Sequence, residues 1–387
     1  MHGAVQKILA CEFRFTNEMH TPFNAAWLKT LALAFPQSKL FFASAKSYQS
    51  HVENVEKHHG VFTLRENRTL EIPTDNELVR SRSTDWKIFF QIYQLYREIK
   101  PDILFYNSTS PYAILFTKLF LWLGLIKCPV YVVLHGELSA HCKRPKDKKS
   151  MWYRAFHWLN HPQLNYVVLS EVIYRELLKV DPGLASESLA IEHPYLWHEH
   201  KTHTANDSDT LSIAHLGVIN VYKSIESLLH LVDKTQSLPG IQYKLIGSVT
   251  PKWKEISTEE YERVITLGAS RVPITTDDYY QAVANIDYSI GFGNKRYRYS
   301  TSASFLDSLS FIKPCILIEN EYVAHFFSLM GNIGYLCKSV AEMQALVEQL
   351  STNFDADLYA QQQANILKGR DVFNPQRVAN VLRARIE

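Results

Sequence analysis

Residues 300–320 read STSASFLDSLSFIKPCILIEN, and three kinds of sequence meet there without a spacer. Four hydroxyl side chains (Ser300, Thr301, Ser302, Ser304) precede a short segment of helical apolar period, and Lys313-Pro314 then leads into an apolar strand. Ser and Thr are favoured N-caps, because a helix start exposes unpaired N–H groups and a partial positive charge. Ordinary capping accounts for such a run. So does a phosphate seated on those N–H groups, since small side chains let an anion approach. A helix feeding directly into a buried strand is half of a βαβ unit, and the rest of the chain repeats it.

Upstream, the strand candidates are QKILACEF, KLFFAS, GVFTL, DILFYN, PVYVVLH and NYVVLS. Helical candidates such as NAAWLKTLALAF, DWKIFFQIYQLYREI and PYAILFTKLFLWLGL fall between them. A polar stretch at 197–210, WHEHKTHTANDSDT, interrupts the pattern. It resumes with LSIAHLGVI, IQYKLIGSV, RVITL, IDYSIGFG, KPCILIEN and IGYLC as strands, separated by SIESLLHLVDKTQ, DDYYQAVAN, SASFLDSLSF and VAEMQALVEQL as helices. The expected fold is α/β, with two Rossmann-like doubly wound domains at 1–196 and 211–370 and a solvated linker at 197–210. The last segment, 371–387, contains NPQRVANVLRARI, an amphipathic helix expected to pack back toward the first domain. Doubly wound sheets bind ligands at the carboxyl ends of their strands, so two of them facing across a cleft would form a small-molecule site there.

The bulk numbers agree with that reading. A chain of 387 residues exceeds one average core, and 46% hydrophobic with 21% charged residues excludes a disordered protein. Lys plus Arg total 41 against 39 acidic residues, a net charge of +2, which gives no electrostatic reason for a nucleic-acid partner. The local exception is HCKRPKDKKS, where Lys143, Arg144, Lys146, Lys148 and Lys149 crowd together beside the aromatics Trp152, Tyr153, Phe156 and Trp158. That run reads as a solvated loop, and the aromatics as a packed helix; together they also allow docking of a lipid-linked acceptor or peripheral membrane contact. Five scattered cysteines without a C-x-x-C pair argue against a disulfide framework or zinc site and for a reducing compartment. The N-terminal MHGAVQKILACEF lacks a signal-peptide pattern, and Lys118 and Lys127 break the most apolar region well short of a ~20-residue span. The expectation is a cytoplasmic protein, able to lie at the inner face of the cell membrane.

The order of motifs after residue 210 resembles the GT-B glycosyltransferases, and within them glycosyltransferase family 4 (group 1). IAHLGVINVYKSIESLLHLV supplies the family's strand, Gly217, short loop and Lys223, with Val218 where the family carries Arg. YKLIGS carries Gly247 where the family's next strand ends in Gly, and DDYYQAVANIDYSI resembles its acidic helix feeding an Ala-Asp strand, with Asp287 at the Asp position. FLDSLSFIKPCILI resembles its helix, Pro and strand, with Asp307 at the glutamate position, Ile312 for the usual Gly, and Tyr299 where retaining members have a second glutamate. In the first half, VVLHGELS resembles the strand ending in His, YVVLSEVIYRELL the strand-Ser-helix unit, and IEHPYL the entry to the hinge.

The resemblance implies transfer of a sugar from a nucleotide-sugar donor to a hydroxyl acceptor on a glycan or lipid-linked glycan, as in bacterial surface polysaccharide, lipopolysaccharide or glycolipid synthesis. It implies no metal and no resident cofactor, the donor being a substrate. The donor site would use Gly217, Lys223, Gly247, Arg296, Arg298, Thr301, Ser302 and Asp307: Lys223 and the arginines on the diphosphate, Thr301 and Ser302 through backbone and small size, Asp307 on sugar hydroxyls. His135, at the end of a strand, and Glu137 are candidate catalytic groups; Glu12, Glu18 and His20 in the first loop are candidate bases. Two rivals stand beside transfer: a nucleotide-sugar epimerase on the same fold, and a non-catalytic nucleotide-sugar-binding or partner protein.

Overall fold

The computed structural model describes residues 5–73, 81–198, 210–219, 225–249, 257–272, 274–292 and 298–387. Lys223 and Arg296, both expected at the donor site, lie outside these residues. The chain divides into two compact units: 1–196 with 299–301 and 372–387, and 197–298 with 302–371.

The first unit is built on seven parallel strands: β1 (Lys7–Glu12), β2 (Lys39–Ser44), β3 (Glu66–Thr69), β4 (Ile103–Ser108), β5 (Val130–Leu134), β6 (Leu164–Leu169) and β7 (Ser188–Ile191). They lie in the order β3-β2-β1-β4-β5-β6-β7. Every residue of β4 and β5 is buried, as a parallel sheet covered on both faces requires. The order reverses between β1 and β4, and the last residues of these strands, Glu12 and Ser108, are paired neighbours there. That reversal is the topological switch point, where doubly wound sheets bind their ligands.

The second unit carries β8 (Leu211–Leu216), β9 (Ile241–Ile246), β10 (Tyr288–Gly291), β11 (Cys315–Ile318) and β12 (Gly334–Cys337), all parallel in the order β12-β11-β10-β8-β9. Alternation along β8 sends Ile213 into a core with Leu228, Tyr288, Met343, Val347 and Tyr359, while Ala214 and Leu216 pack with Val283, Ile286 and Phe311. Here the switch point falls between β8 and β10. The fold is α/β, with a helix-flanked parallel sheet in each unit.

The structure differs from the sequence reading in several places. GVFTL is not a strand: Phe62 and Leu64 are 77% and 80% exposed, and β3 forms further on at ENRT. RVITL is the end of a helix, Thr258–Thr266, started by a capping box in which Ser257 and Glu260 satisfy each other's backbone N–H groups. Trp197 and His198 are not solvated linker. Trp197 Nε1 donates to the Arg370 carbonyl, and His198 packs between Tyr280 and Phe311, inside the second unit; residues 199–209 lie outside the described residues. Phe156 is fully buried against His141 and Tyr166, leaving Trp158 as the exposed member of that aromatic group.

The helix Pro375–Ile386 belongs to the first unit, where Arg383 donates to the carbonyls of Leu33 and Ala34 at the end of helix Thr21–Ala34. A guanidinium on those last carbonyls also complements the helix dipole. In the second unit Arg370 does the same for helix Ala303–Ser310. Its Nη2 lies 2.6 Å from the Leu309 carbonyl oxygen and 2.5 Å from that of Ser310.

Gly247 and Gly217 follow β9 and β8 and hold those strand ends together. Gly247 has φ +150°, and a Cβ there would stand 1.9 Å from the Gly217 carbonyl oxygen. Gly60 has φ +61° with nothing within 4 Å of a built Cβ. Gly247→Ala is therefore expected to destabilise by about 2 kcal/mol or more, and Gly60→Ala by only about 1 kcal/mol, as read from urea unfolding. Equal shifts would refute the close approach.

Candidate functional site

At the switch point of the first unit the chain buries a carboxylate. Glu12 has no exposed surface, and both its oxygens are engaged. Oε1 accepts from Ser108 Oγ and from the backbone N–H groups of Arg14 (2.9 Å) and Phe15 (3.3 Å), and Oε2 accepts from Asn24 Nδ2 (3.0 Å). Burial raises its pKa against the lowering effect of these bonds. Glu12, expected as a base candidate, braces the turn after β1 and has no exposed surface through which to meet an acceptor.

The braced loop delivers His20, the residue before helix Thr21–Ala34, in a left-handed conformation with φ 62°. Its ring lies 4.4 Å from that of Phe15 and 4.7 Å from that of His135. His20 Nδ1 is buried without a partner among the described residues. His135 follows β5 and is buried, its ring edge-on to Phe23 at 4.3 Å. Nε2 lies 3.0 Å from the Asn107 carbonyl, so Nε2 carries the proton and Nδ1 is the lone pair. Burial, then the neighbouring His193, lowers the His135 pKa to about 3; burial and then His135 bring His20 to about 3; burial takes His193 to about 4. These rings are neutral at pH 7 and weak as bases, suited to orienting a hydroxyl more than to removing its proton.

Glu137 is also buried. One oxygen accepts from the His135 backbone N–H at 2.7 Å, and the other meets Arg14 Nη1 at 3.3 Å. Glu18 is exposed and lies 3.7 Å from His51. Of the first-unit candidates, His20, His135 and Glu137 are thus brought together by contact, while Glu12 serves behind them. Sequence reading missed Arg14 and Asn24, which belong to no motif, and saw His193 only as part of IEHPYL.

In the second unit a cavity of about 60 Å³ lies at the carboxyl ends of β8, β10 and β11; its wall is mostly apolar, with Phe292, Phe305 and Leu317 among its residues, and His215, Ser302 and Asn320 supply polar edges. Two helices begin at it. Ser302 caps Ala303–Ser310 by accepting from Phe305 N–H, and Asn320 caps Glu321–Met330 by accepting from Val323 N–H. Each start presents partial positive charge, so the cavity's electrostatics favour an anion. Its size admits one small group, far short of the ~300–1,000 Å³ of a complete ligand pocket.

Asp307 does not line this cavity; its Oδ2 accepts from Tyr279 Oη at 2.9 Å, tying its helix to Thr276–Ala284. Burial, then Asp307, raises the Tyr279 pKa. Arg298 is exposed and pairs with Glu321 at 3.6 Å, beside the start of the Asn320-capped helix. Thr301 is part-buried and does not line the cavity, and Gly217 and Gly247 act on each other as described above. Elsewhere, His141, His157 and Asp181 of the first unit cluster with ligand atoms all within 4.8 Å of one another.

No protein-family model matches the sequence, and no curated protein matches it. Solved structures do. The chain is similar to Anabaena HepE in complex with UDP-glucose (14% identity, 98% of this chain and 99% of that one, TM-score 0.65). It is also similar to sucrose-phosphate synthase from Thermosynechococcus elongatus (12% identity, 98% of each chain, TM-score 0.68). A UDP-N-acetylglucosamine 2-epimerase matches at 11% identity over 99% of this chain and 97% of that one, TM-score 0.58. The fold is therefore the GT-B fold of these glycosyltransferases, which epimerases share.

The three neutral imidazoles set a pH dependence. An unfolded histidine takes up a proton near pH 6.5, whereas the folded rings resist it down to about 3 or 4. Stability therefore falls as pH drops below about 6.5, by up to ~1.4 kcal/mol per pH unit for each ring. Glu12 opposes this, since its raised pKa favours the folded state as pH falls. Denaturant unfolding at pH 7, 6 and 5 is expected to show the decline, and His193→Gln to flatten it. A slope unchanged by that substitution would contradict a neutral, buried His193.

Proposed function

We propose that the protein is a glycosyltransferase of the family 4 kind, moving a sugar from a nucleotide-sugar donor to a hydroxyl acceptor. The observation that carries this reading is the meeting of two capped helix starts on one cavity at the carboxyl ends of β8, β10 and β11. One phosphate of a diphosphate matches that field, and a leaving diphosphate gains the negative charge that preorganised N–H groups stabilise. Lys223, Arg296 and Arg298 are the cations assigned to its oxygens, and the remainder of the donor extends beyond the cavity. Among the structural neighbours, HepE is bound to UDP-glucose and a Staphylococcus aureus protein to UDP.

The first unit is assigned the acceptor. His20 and His135 would orient the hydroxyl, and Glu137, held by Arg14, is the carboxylate beside them. The diphosphate's charge is met by helix termini and side-chain cations, so this scheme calls on no metal and no resident cofactor. A lipid-linked acceptor suits the exposed apolar side chains Trp86, Phe90, Leu119, Trp122 and Trp158 together with the exposed lysines of 143–149. No helix among the described residues is long and apolar enough to cross a membrane. That leaves peripheral contact, at the inner face of a bacterial membrane, as the reading for surface polysaccharide or glycolipid synthesis.

Epimerisation is the second reading, favoured by Tyr299 in place of a glutamate and by the epimerase among the structural neighbours. An epimerase converts the donor with no acceptor present; a transferase releases nucleotide only when an acceptor is added.

A thermal-shift screen of nucleotide sugars tests the donor site, since a ligand at 100 times its Kd stabilises by about 2.7 kcal/mol. Lys223→Ala is expected to abolish the shift in a protein that still folds. Ser302→Ala is expected to cost about 1 kcal/mol of stability through the lost cap and to weaken donor binding. Full shifts in both variants would remove the diphosphate from this cavity.

A further inference from the structure

Three helix ends of the first unit converge on side chains to which the proposed transfer assigns no role. His141 lies in the last turn of helix Glu137–Cys142, His157 ends helix Met151–His157, and Asp181 follows helix Glu171–Val180. The Nε2 atoms of His141 and His157 lie 2.7 and 2.8 Å from one oxygen, Asp181 Oδ2. The His141 side chain is fully buried, and that of His157 is 23% exposed.

We propose that His141, His157 and Asp181 form a zinc site, with a water as the fourth ligand. Two imidazole nitrogens and one carboxylate oxygen are a zinc donor set; magnesium and calcium favour oxygen alone. Zinc bonds of about 2.0–2.2 Å hold ligand atoms roughly 3.3 Å apart in a tetrahedron. The two nitrogens now sit at 2.7 and 2.8 Å from the carboxylate oxygen and within 4.8 Å of each other, so admitting the ion opens each N···O contact by about half an ångström and closes the two rings on each other by up to about 1.5 Å.

Proton chemistry permits it as well. His141 Nδ1 is buried with no hydrogen-bond partner among the described residues. Without the ion, the Asp181 carboxylate holds the ring proton on Nε2; once Nε2 binds the cation that proton moves to Nδ1, where no protein group among the described residues already occupies the position. The exposed edge of His157 gives the ion and its water a way in. No other group of three such ligands occurs among the described residues.

The exposed basic loop from Lys143 to Lys149 runs between His141 and His157. Zinc would join the two ends of that loop and anchor both to Asp181. The ion is a clamp on the base of the loop, separate from sugar-transfer chemistry.

The full chain, stripped with EDTA, is titrated with zinc chloride by calorimetry and with Co²⁺ by visible absorption. The expected result is one equivalent of micromolar or tighter affinity, with the d–d bands of tetrahedral Co²⁺. His157→Gln, whose amide can still donate to Asp181, and Asp181→Asn are expected to lose at least ~10-fold in affinity and the Co²⁺ bands while keeping the wild-type circular dichroism. The double substitution His200→Gln with His203→Gln controls for the histidine-rich run WHEHKTH and is expected to leave the single equivalent intact. Absence of uptake by the wild type, uptake unchanged in either folded site variant, or loss of uptake in the double-substitution control would overturn the site.

Discussion

A carboxylate buried at the switch point of the seven-stranded sheet governs the first unit. Glu12 ends β1 without access to solvent, and removing any of its partners would strand a charge where water cannot reach it. Its bonds reach into three segments: the loop through Arg14 and Phe15, helix Thr21–Ala34 through Asn24, and β4 through Ser108, with Asn24 passing the network on to Tyr48 and Asn107. The path of the loop, the left-handed turn at His20 and the meeting of His20 with His135 follow from that knot. The candidate acceptor site is thus supported by a group that does not itself belong to it.

What could be read from the sequence was decided by burial. VYVVL, buried residue for residue, can only be an inner parallel strand. GVFTL is also mostly apolar but leaves Phe62 and Leu64 exposed, and the polar ENRT pairs with β2 instead, where Lys39 and Arg68 both meet Glu66. RVITL was lost to a local signal, since the Ser257–Glu260 box commits the chain to a helix before the apolar residues arrive. Among the candidate site residues, Ser302 was legible because capping is local. Asp307 was placed correctly on its helix, yet its partner Tyr279 comes from a distant segment and no spacing announces it. Arg14, Asn24 and Asn107 matter only through contacts that exist after folding.

The second unit shows how a positive field can be assembled with no cationic side chain among the described residues of the cavity wall. Where the resembling family has an arginine, Val218 stands 44% exposed, and the cavity draws on backbone at two helix starts. Arg370 strengthens one of them from the opposite end: by capping the last carbonyls of helix Ala303–Ser310 it fixes the helix that Ser302 begins. A lesion at Arg370 would therefore be felt at Ser302, a helix length away.

The return of the chain to its first unit has a consequence for biosynthesis. Arg383 contacts Ala34 and Leu33 across separations of 349 and 350 residues. At about 5–20 residues per second, a ribosome needs roughly 20–70 s to bridge that distance. Throughout that interval the flank of helix Thr21–Ala34 destined for Pro375–Ile386 stays uncovered, while most of the second unit emerges and can collapse on its own. The nascent first unit is an unfinished surface awaiting its last piece, and a holdase or a slow-growth temperature should raise the yield of native protein.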